Sequence, residues 1–496
     1  MDSRYIDKNI VSIFLRKHEL WQETEIAALW AWEKYGSLPK SIAKQIENTL
    51  REKEIDFDLI NKFDEEFHHD LNAFIAERRR HLPSELAHYL HKGLTSYDTE
   101  EPAFARMLKV ATEDIECVLK NLLMILESEA QKYRYTIMLA RTHGQEAKLQ
   151  THGKRLLTWY VQLKTDLQLL RNVSKSLEFS KMSGAIGVYG DFTPEMEEYA
   201  LSLMGFKPFY GATQIMPREI YVPVASALVS IVGTICKISD DIRLGSRSGN
   251  AIYQEPFKKT QMGSSAMPHK KNTIRTEQME GMFRMAKGYL SMIMDNIKTW
   301  EERAIEQSCV ERVAWPDLFH VTAHSIKTIT KLIARMKVFP DRMYQEIIGS
   351  RGCYASDEAK NFLGVKLPEH GFSAEDAYRI VQLAAENAHN PGEDLRKVRR
   401  YQPKSLVDTE KLFEIVEEDC FNNNPIDGDS IEDIILNGRL VVSPDLKAEA
   451  AQVTIWNKSL EKVFSDDENK KMWSRLFKPA YLLRHEPFLF EKVFGN

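Results

Sequence analysis

The sequence predicts an all-α fold built on long helices, and three observations carry that reading. Apolar residues recur at intervals of three and four through the middle of the chain, strand-like alternation is scarce, and no self-similarity at roughly 20 to 50 residues marks a solenoid. The first stripe runs Met107, Ala111, Ile115, Val118, Leu122, Ile125, and the second Val224, Leu228, Ile231, Ile235, Ile238, Ile242. A third joins Met279, Met282, Phe283, Ala286, Leu290, Ile293 and Ile297, and a fourth Ile326, Ile329, Leu332, Ile333 and Met336. Helices with one apolar face bury it by packing as an extended bundle, and the widest stripes leave room for helices of other subunits. Turn-forming residues break the period at "GLTSYDTEEP" and "GSRGCYASD". They suggest three domains: an N-terminal helical domain over 1–97, a central long-helix bundle over 98–353, and a C-terminal helical domain over 354–496. Beyond Asn390 the turn-rich segments "HNPGEDLRK", "FNNNPIDGD" and "RLVVSPDLK" weaken the pattern.

Composition narrows the function classes. The 496 residues are 43% hydrophobic and 28% charged, enough apolar chain for sizeable cores and against disorder as the main state. A net charge of −5 offers no global positive field, so nucleic acid is not an expected partner. The five cysteines, Cys117, Cys236, Cys309, Cys353 and Cys420, lie far apart without a Cys-x-x-Cys, which predicts neither a zinc site nor a disulfide framework and suits reduced thiols in the cytoplasm. The N-terminal residues lack a basic stretch followed by an apolar one, so no signal peptide is read. The most apolar segment, Val222 to Ile235, is interrupted by Pro223, Ser226, Ser230 and Gly233 and reads as too short for a bilayer, so no membrane partner is expected.

The chemistry concentrates in residues 261 to 272, "QMGSSAMPHKKN", which interrupt two helical runs. Gly263 frees the backbone, Ser264 and Ser265 bring hydroxyls, Pro268 ends a local conformation, and Lys270, Lys271 and Asn272 supply donors just before a helix. Such a loop suits the wrapping of an anion; the plainer reading is a solvated linker between helices. It is not a phosphate-binding P-loop, because the Gly-x-x-x-x-Gly-Lys spacing is absent.

This string resembles the signature Gly-Ser-Ser-x-Met-Pro-x-Lys-x-Asn of the fumarase/aspartase lyase superfamily at every specified position. "LARTHGQEA" (139 to 147), "FHHDLNAF", "LHKGLTSYD", "ATQIMPRE" (212 to 219) and "WEERAIEQSCVER" (300 to 312) are similar, in the same order, to segments of its purine-nucleotide branch, as is the N-terminal "RYIDKNIVSIFLRKHELWQETEIAAL". The resemblance runs from about Arg4 to about Ala388. It implies an all-helical, three-domain fold, a homotetramer whose active sites are shared between chains, and no cofactor or metal. The implied substrates are small nucleotides: fumarate is eliminated from adenylosuccinate, giving AMP, and from the succinyl-carboxamide ribotide of purine synthesis.

Elimination removes a proton beside a carboxylate and leaves negative charge on a group that already carries one. The site must therefore stabilise a doubly negative, enolate-like group and protonate a departing nitrogen. The resemblance implies Ser264 as general base, in a loop that closes and gathers positive potential from Lys270, Asn272 and backbone N–H groups at a helix-initiating turn. It implies His143 as general acid, beside Thr142 in the Arg-Thr-His-Gly segment, with His69 and Asp70 serving the same site and Glu277 supporting it. His91, Thr95, Ser96 and Ser265 are implied as further polar contacts to substrate, while Arg4, Tyr5, Gln214, Arg303, Ser308 and Arg312 match positions that grip phosphate and carboxylates. Read singly, each has a plainer use: Ser264 as a loop hydroxyl or helix cap, His143 as a surface histidine, "HKGLTSYD" as a capped helix start, the arginines as surface ion pairs.

Five departures bear on substrate detail. His68 stands where arginine is usual, Thr273 where proline is common, and Ala304, Glu306 and Gln307 where aspartate, serine and histidine are frequent. Two other readings remain open at this level: a lyase of the same superfamily acting on another substrate such as argininosuccinate, and a non-catalytic binding homologue.

Overall fold

The computed structural model describes residues 2–36, 38–249, 251–257, 260–261, 264, 266–389, 430–442 and 447–495. It is 69% helical, so the all-α class stands. The turn-rich segments expected over 390–429 and 443–446, and Cys420, Gly263 and Ser265, lie outside the described residues.

The long helices are Ser96–Lys132, His152–Val173, Val222–Leu244, Ile274–Asp295 and Glu306–Ile333. The second stripe is buried at all six positions. In the first, the buried face runs through Ala111, Ile115, Leu119, Leu122 and Leu126, so Val118 and Ile125 are displaced to its half-buried edge. In the third, the helix stops at Asp295, and Ile297, expected inside the stripe, is exposed. The apolar segment at Val222 is also longer than expected: Pro223 falls at the second helical position, where a missing N–H costs nothing, and the helix continues past Ile235 to Leu244. Residues Arg218–Leu244 are thus long and apolar enough to cross a membrane by length and composition, although 61% of their most apolar 18-residue window is buried within the fold, as in a core helix.

The chain forms two compact units, each assembled from three separate segments: 1–123, 162–241 and 274–332 in the first, and 124–161, 242–273 and 333–496 in the second. In the first unit, the helices interlock through buried polar and aromatic contacts. Asp166 on the His152–Val173 helix accepts hydrogen bonds from Ser230 and Thr234 at 2.7 and 2.6 Å, and Tyr289 donates to Asp317 at 2.8 Å. Trp315 packs edge-on against Phe104 and Tyr221. A second layer of shorter helices, Lys17–Tyr35, Ile42–Glu52, Phe57–Phe67 and Asp70–Arg79, is sealed by Trp21, Leu29, Trp32, Ile46 and Phe74.

The second unit holds most of the few strands. Strand β1 (Ile137–Thr142) and strand β2 (Gln145–Thr151) form an antiparallel hairpin whose buried Ile137, Leu139 and Leu149 join a core with Ile347, Tyr354, Phe362, Leu363 and Trp473. Helices Ser356–Lys366, Ala374–His389, Ile431–Leu436, Lys447–Val463 and Asp467–Leu476 complete that core.

Candidate active site

In the first unit, residues from four distant stretches of sequence meet. His69 is the N-cap of the Asp70–Arg79 helix: its Nδ1 accepts the Asn72 N–H at 3.3 Å, and its Nε2 lies 3.3 Å from the Ser96 hydroxyl. With Nδ1 accepting, Nε2 is the ring nitrogen that donates to the Ser96 hydroxyl. Asp70, in the first turn, is paired with Lys17 at 3.3 Å and Arg312 at 2.8 Å. Burial alone would raise its pKa, but the charges of Lys17 and Arg312 overcome that and hold the carboxyl below its usual range. His68 is the exposed, left-handed C-cap of the preceding helix, donating its N–H to the Asp64 carbonyl.

His91 is tied elsewhere. Its backbone is left-handed, and its N–H and Nδ1 meet the two oxygens of buried Glu25 at 2.8 Å each, with Thr99 donating to the same carboxylate at 2.6 Å. Burial opposes the charge on this ring, yet Glu25 raises its pKa. The Thr95 N–H donates to Asp98, which is buried and paired with Lys181 at 2.6 Å.

Gln214 and Arg303 are brought together: Nη1 of Arg303 donates to Oε1 of Gln214 at 2.8 Å, and Nε2 of Gln214 donates to the Ala185 carbonyl at 3.2 Å. Ser308 and Arg312, one helical turn apart, line a cavity of about 810 Å3 with Lys17, His18, Trp21, Tyr97 and Glu100. Burial and the neighbouring Asp70 raise the Glu100 carboxyl to about 7, against the charges of Arg312, Lys17 and Arg303. His18, packed on Trp21 and Phe57, is driven down to about 4 by burial and is neutral. Arg4 and Tyr5 lie in the N-terminal turn, where Tyr5 meets His324 edge-on and Arg4 is exposed. Glu277 is exposed in the first turn of the Ile274–Asp295 helix.

Beneath this cluster lies a group that sequence reasoning missed. Arg218 is buried between two carboxylates, donating to Glu101 at 2.6 Å and to Glu311 at 3.1 Å, while Tyr221 donates to Glu101 at 3.2 Å. Burial pushes Glu311 up to about 7 against the pull of Arg218. A signal was present. Glu101 shares a helical face with Ala105, Leu108 and Ala111, and Glu311 with Trp315 and Leu318, and a charge on an apolar stripe demands a buried partner.

In the second unit, Thr142 pairs with Gln145, so His143 and Gly144 alone form the hairpin turn. Both have positive φ, 53° and 78°, the pattern of a type I′ turn, which matches the twist of the strands. The fold thereby sets the His143 ring, exposed, at the tip of a hairpin. Arg141, on β1, is anchored to Glu346 at 3.0 Å. Ser264 accepts the Met267 N–H on its hydroxyl oxygen at 3.1 Å, and the Lys270 N–H closes a turn onto the Met267 carbonyl at 3.0 Å. Lys270 is exposed and Asn272 half-buried. The next helix starts only at Ile274, so Ser264 does not stand at a helix-initiating turn as expected; its hydroxyl braces a turn inside the loop.

Among the described residues, Cys236, Asp240 and Glu280 bring ligand atoms within 4.8 Å of one another, but Glu280 is already paired with Arg284. The described cysteines form no disulfide.

The family model described as lyase matches residues 8–288, more than half of the chain. The chain belongs to this lyase family. It is 34% identical to an adenylosuccinate lyase of Thermotoga maritima, an alignment covering 80% of this chain and 91% of the relative. Identity is 31% to adenylosuccinate lyase of Streptococcus mutans, covering 84% and 95%, and 32% to that of Staphylococcus saprophyticus, covering 78% and 88%. Within the family the chain therefore falls among the adenylosuccinate lyases. Solved structures share the fold at lower identity: a fumarate lyase from Mesorhizobium sp. BNC1 (17% identical, TM-score 0.76, covering 100% of this chain and 99% of that one) and a β-carboxy-cis,cis-muconate cycloisomerase from Acinetobacter calcoaceticus (19%, TM-score 0.72, covering 99% and 98%).

Proposed function

We propose that the chain is a carbon–nitrogen lyase that cleaves adenylosuccinate to AMP and fumarate, and the succinyl-carboxamide ribotide to its carboxamide and fumarate. The observation that carries this reading is its identity of 31 to 34% with three adenylosuccinate lyases over about four fifths of the chain. In the proposed reaction, the Ser264 alkoxide takes the proton on the carbon beside the succinyl carboxylate. The C–H electron pair becomes the C=C bond of fumarate, the C–N bond breaks, and His143 gives its proton to the nitrogen. The Met267 N–H at the Ser264 oxygen supports this role, because a backbone donor favours the charged form of an otherwise weakly acidic hydroxyl. Lys270 and Asn272 supply positive potential from the same loop, with Ser265 beside the base and Thr142 beside the acid. His69, through Ser96, and Glu277 order the cluster. Arg4, Tyr5, Gln214, Arg303, Ser308 and Arg312 take the phosphate and carboxylates, with His68, Asp70, His91 and Thr95 shaping the pocket. Both steps are proton transfers and call for no cofactor.

A homotetramer with shared sites and a cytoplasmic setting belong to the same proposal. Exposed apolar groups on and after the Ile274–Asp295 helix, Met292, Met294, Ile297, Trp300 and Ile305, support burial by neighbouring chains. The test is direct: purified protein mixed with adenylosuccinate should release fumarate, and Ser264→Ala should lower kcat by about 10² to 10⁴ while keeping the helical circular dichroism. Wild-type turnover by the folded variant would eliminate Ser264 as base. Turnover of argininosuccinate and not adenylosuccinate would move the chain to another substrate.

A further inference from the structure

Arg303 owes its pose to residues outside the set that the resemblance marks. Its guanidinium lies 4.2 Å from the centroid of the Tyr97 ring, while Nη1 is fixed to Gln214. Tyr97 is itself only 4% exposed, and its hydroxyl accepts the amide Nε2 of Gln307 at 2.9 Å. Gln307 is 1% exposed, and Nδ2 of Asn296 donates to its backbone carbonyl at 3.1 Å. The segment between is pinned as well: the Ala304 N–H donates to the Thr299 hydroxyl at 3.2 Å, and the Thr213 hydroxyl donates to the Glu302 carbonyl at 2.7 Å. An arginine held flat on an aromatic face has already given up the rotamer freedom that it would otherwise lose on meeting an anion. Arg303 Nε is buried without a hydrogen-bond partner, so the ring contact and the single bond to Gln214 carry the orientation.

We infer that Tyr97 and Gln307 are positioning residues for Arg303: the ring sets the plane of the guanidinium and the amide sets the ring. Together they govern how tightly an anionic group of the substrate is taken, and they leave the two proton transfers untouched. The inference rests on the proposed role of Arg303 as an anion grip.

Steady-state kinetics of the full-length enzyme with adenylosuccinate test it. Tyr97→Leu should raise KM about tenfold with kcat within about threefold, the size of one lost cation–π contact and its ordering. Tyr97→Phe keeps the ring but loses the hydrogen bond from Gln307, so it should raise KM about threefold, between wild type and Tyr97→Leu, whereas a role for the hydroxyl alone would leave both variants alike. Gln307→Met, which preserves side-chain volume, should raise KM about three- to tenfold at unchanged kcat, and it carries the test alone if Tyr97→Leu does not fold. Equal KM for the Leu and Phe variants, an unchanged KM in Gln307→Met, or a fall in kcat at constant KM would each overturn the inference. Arg303→Lys separates it from its premise. If that variant keeps the wild-type KM, the anion-grip reading fails; if its KM rises while those of Tyr97→Leu and Gln307→Met do not, only the positioning role fails.

Discussion

Glu100 is a carboxyl with a choice of charge. It faces a cavity that Lys17 and Arg312 also line, and the charges of Asp70 and Arg303 act on it as well. Burial raises its pKa from the ordinary carboxylate value to about 7, so the folded protein holds a proton that the unfolded chain has released. The native state then binds more protons between about pH 4.5 and pH 7, and stability falls as pH rises through that window. Glu100→Gln removes the burden: the variant should match wild type near pH 4.5 and exceed it by about 1 to 3 kcal/mol near pH 8 in denaturant unfolding. A constant difference across that range would show that Glu100 does not titrate there. His91 gives a slope of the same sign: its raised pKa contributes stability that is fully present below the unfolded value and is lost as pH rises through the folded one.

At the scale of elements, two glycines with nearly equal φ have different reasons to be glycine. Gly144, at 78°, completes the turn that presents His143, and a Cβ there would meet no heavy atom within 4 Å. Gly144→Ala should therefore cost only the conformational term, about 1 kcal/mol, and leave the hairpin folded. Gly187, at 80°, would place a Cβ 2.0 Å from the Ala212 carbonyl oxygen, on the segment that leads into Gln214. Gly187→Ala adds a clash with backbone and should cost about 3 kcal/mol. Thermal or denaturant unfolding of the two variants checks the order, and a Gly187→Ala protein as stable as Gly144→Ala would contradict it. The Glu101–Arg218–Glu311 group acts at this scale too, fastening the Ser96–Lys132 and Glu306–Ile333 helices through the turn at Arg218–Ile220.

For the molecule as a whole, apolar side chains remain exposed on helices whose opposite faces are fully buried. Met292 and Met294 flank buried Ile293, and Trp300 is 79% exposed. A solitary subunit with such surface would associate, so sedimentation should find a species of four chains carrying the activity. An active monomer would remove the shared-site proposal while leaving the lyase family intact. The three-domain division proposed at 97 and 353 sits on helix starts: Ser96 opens the longest helix, and Cys353 opens the turn before Ser356–Lys366. The compact units gather their segments differently, because helices such as Ser96–Lys132 and Glu306–Ile333 continue across the divisions between segments.

Helical class, the stripes at 224–242 and 326–333, and the chemically loaded loop at 261–272 were legible in sequence, because periodicity and turn composition are local properties that survive without knowledge of partners. The family followed from short strings of fixed order. Where a helix would end, as at Asp295 before Ile297, depended on capping and packing several residues away, and the placing of His143 on a two-residue hairpin turn was hidden in a chain that otherwise reads as helix. Tertiary structure alone decided which charges meet: Asp70 with Arg312, Arg303 with Gln214 and Tyr97, and Arg218 with Glu101 and Glu311. Those pairs join residues from about 90 to more than 200 positions apart, and the burial that shifts Glu100 and Glu311 exists only once distant helices have excluded water.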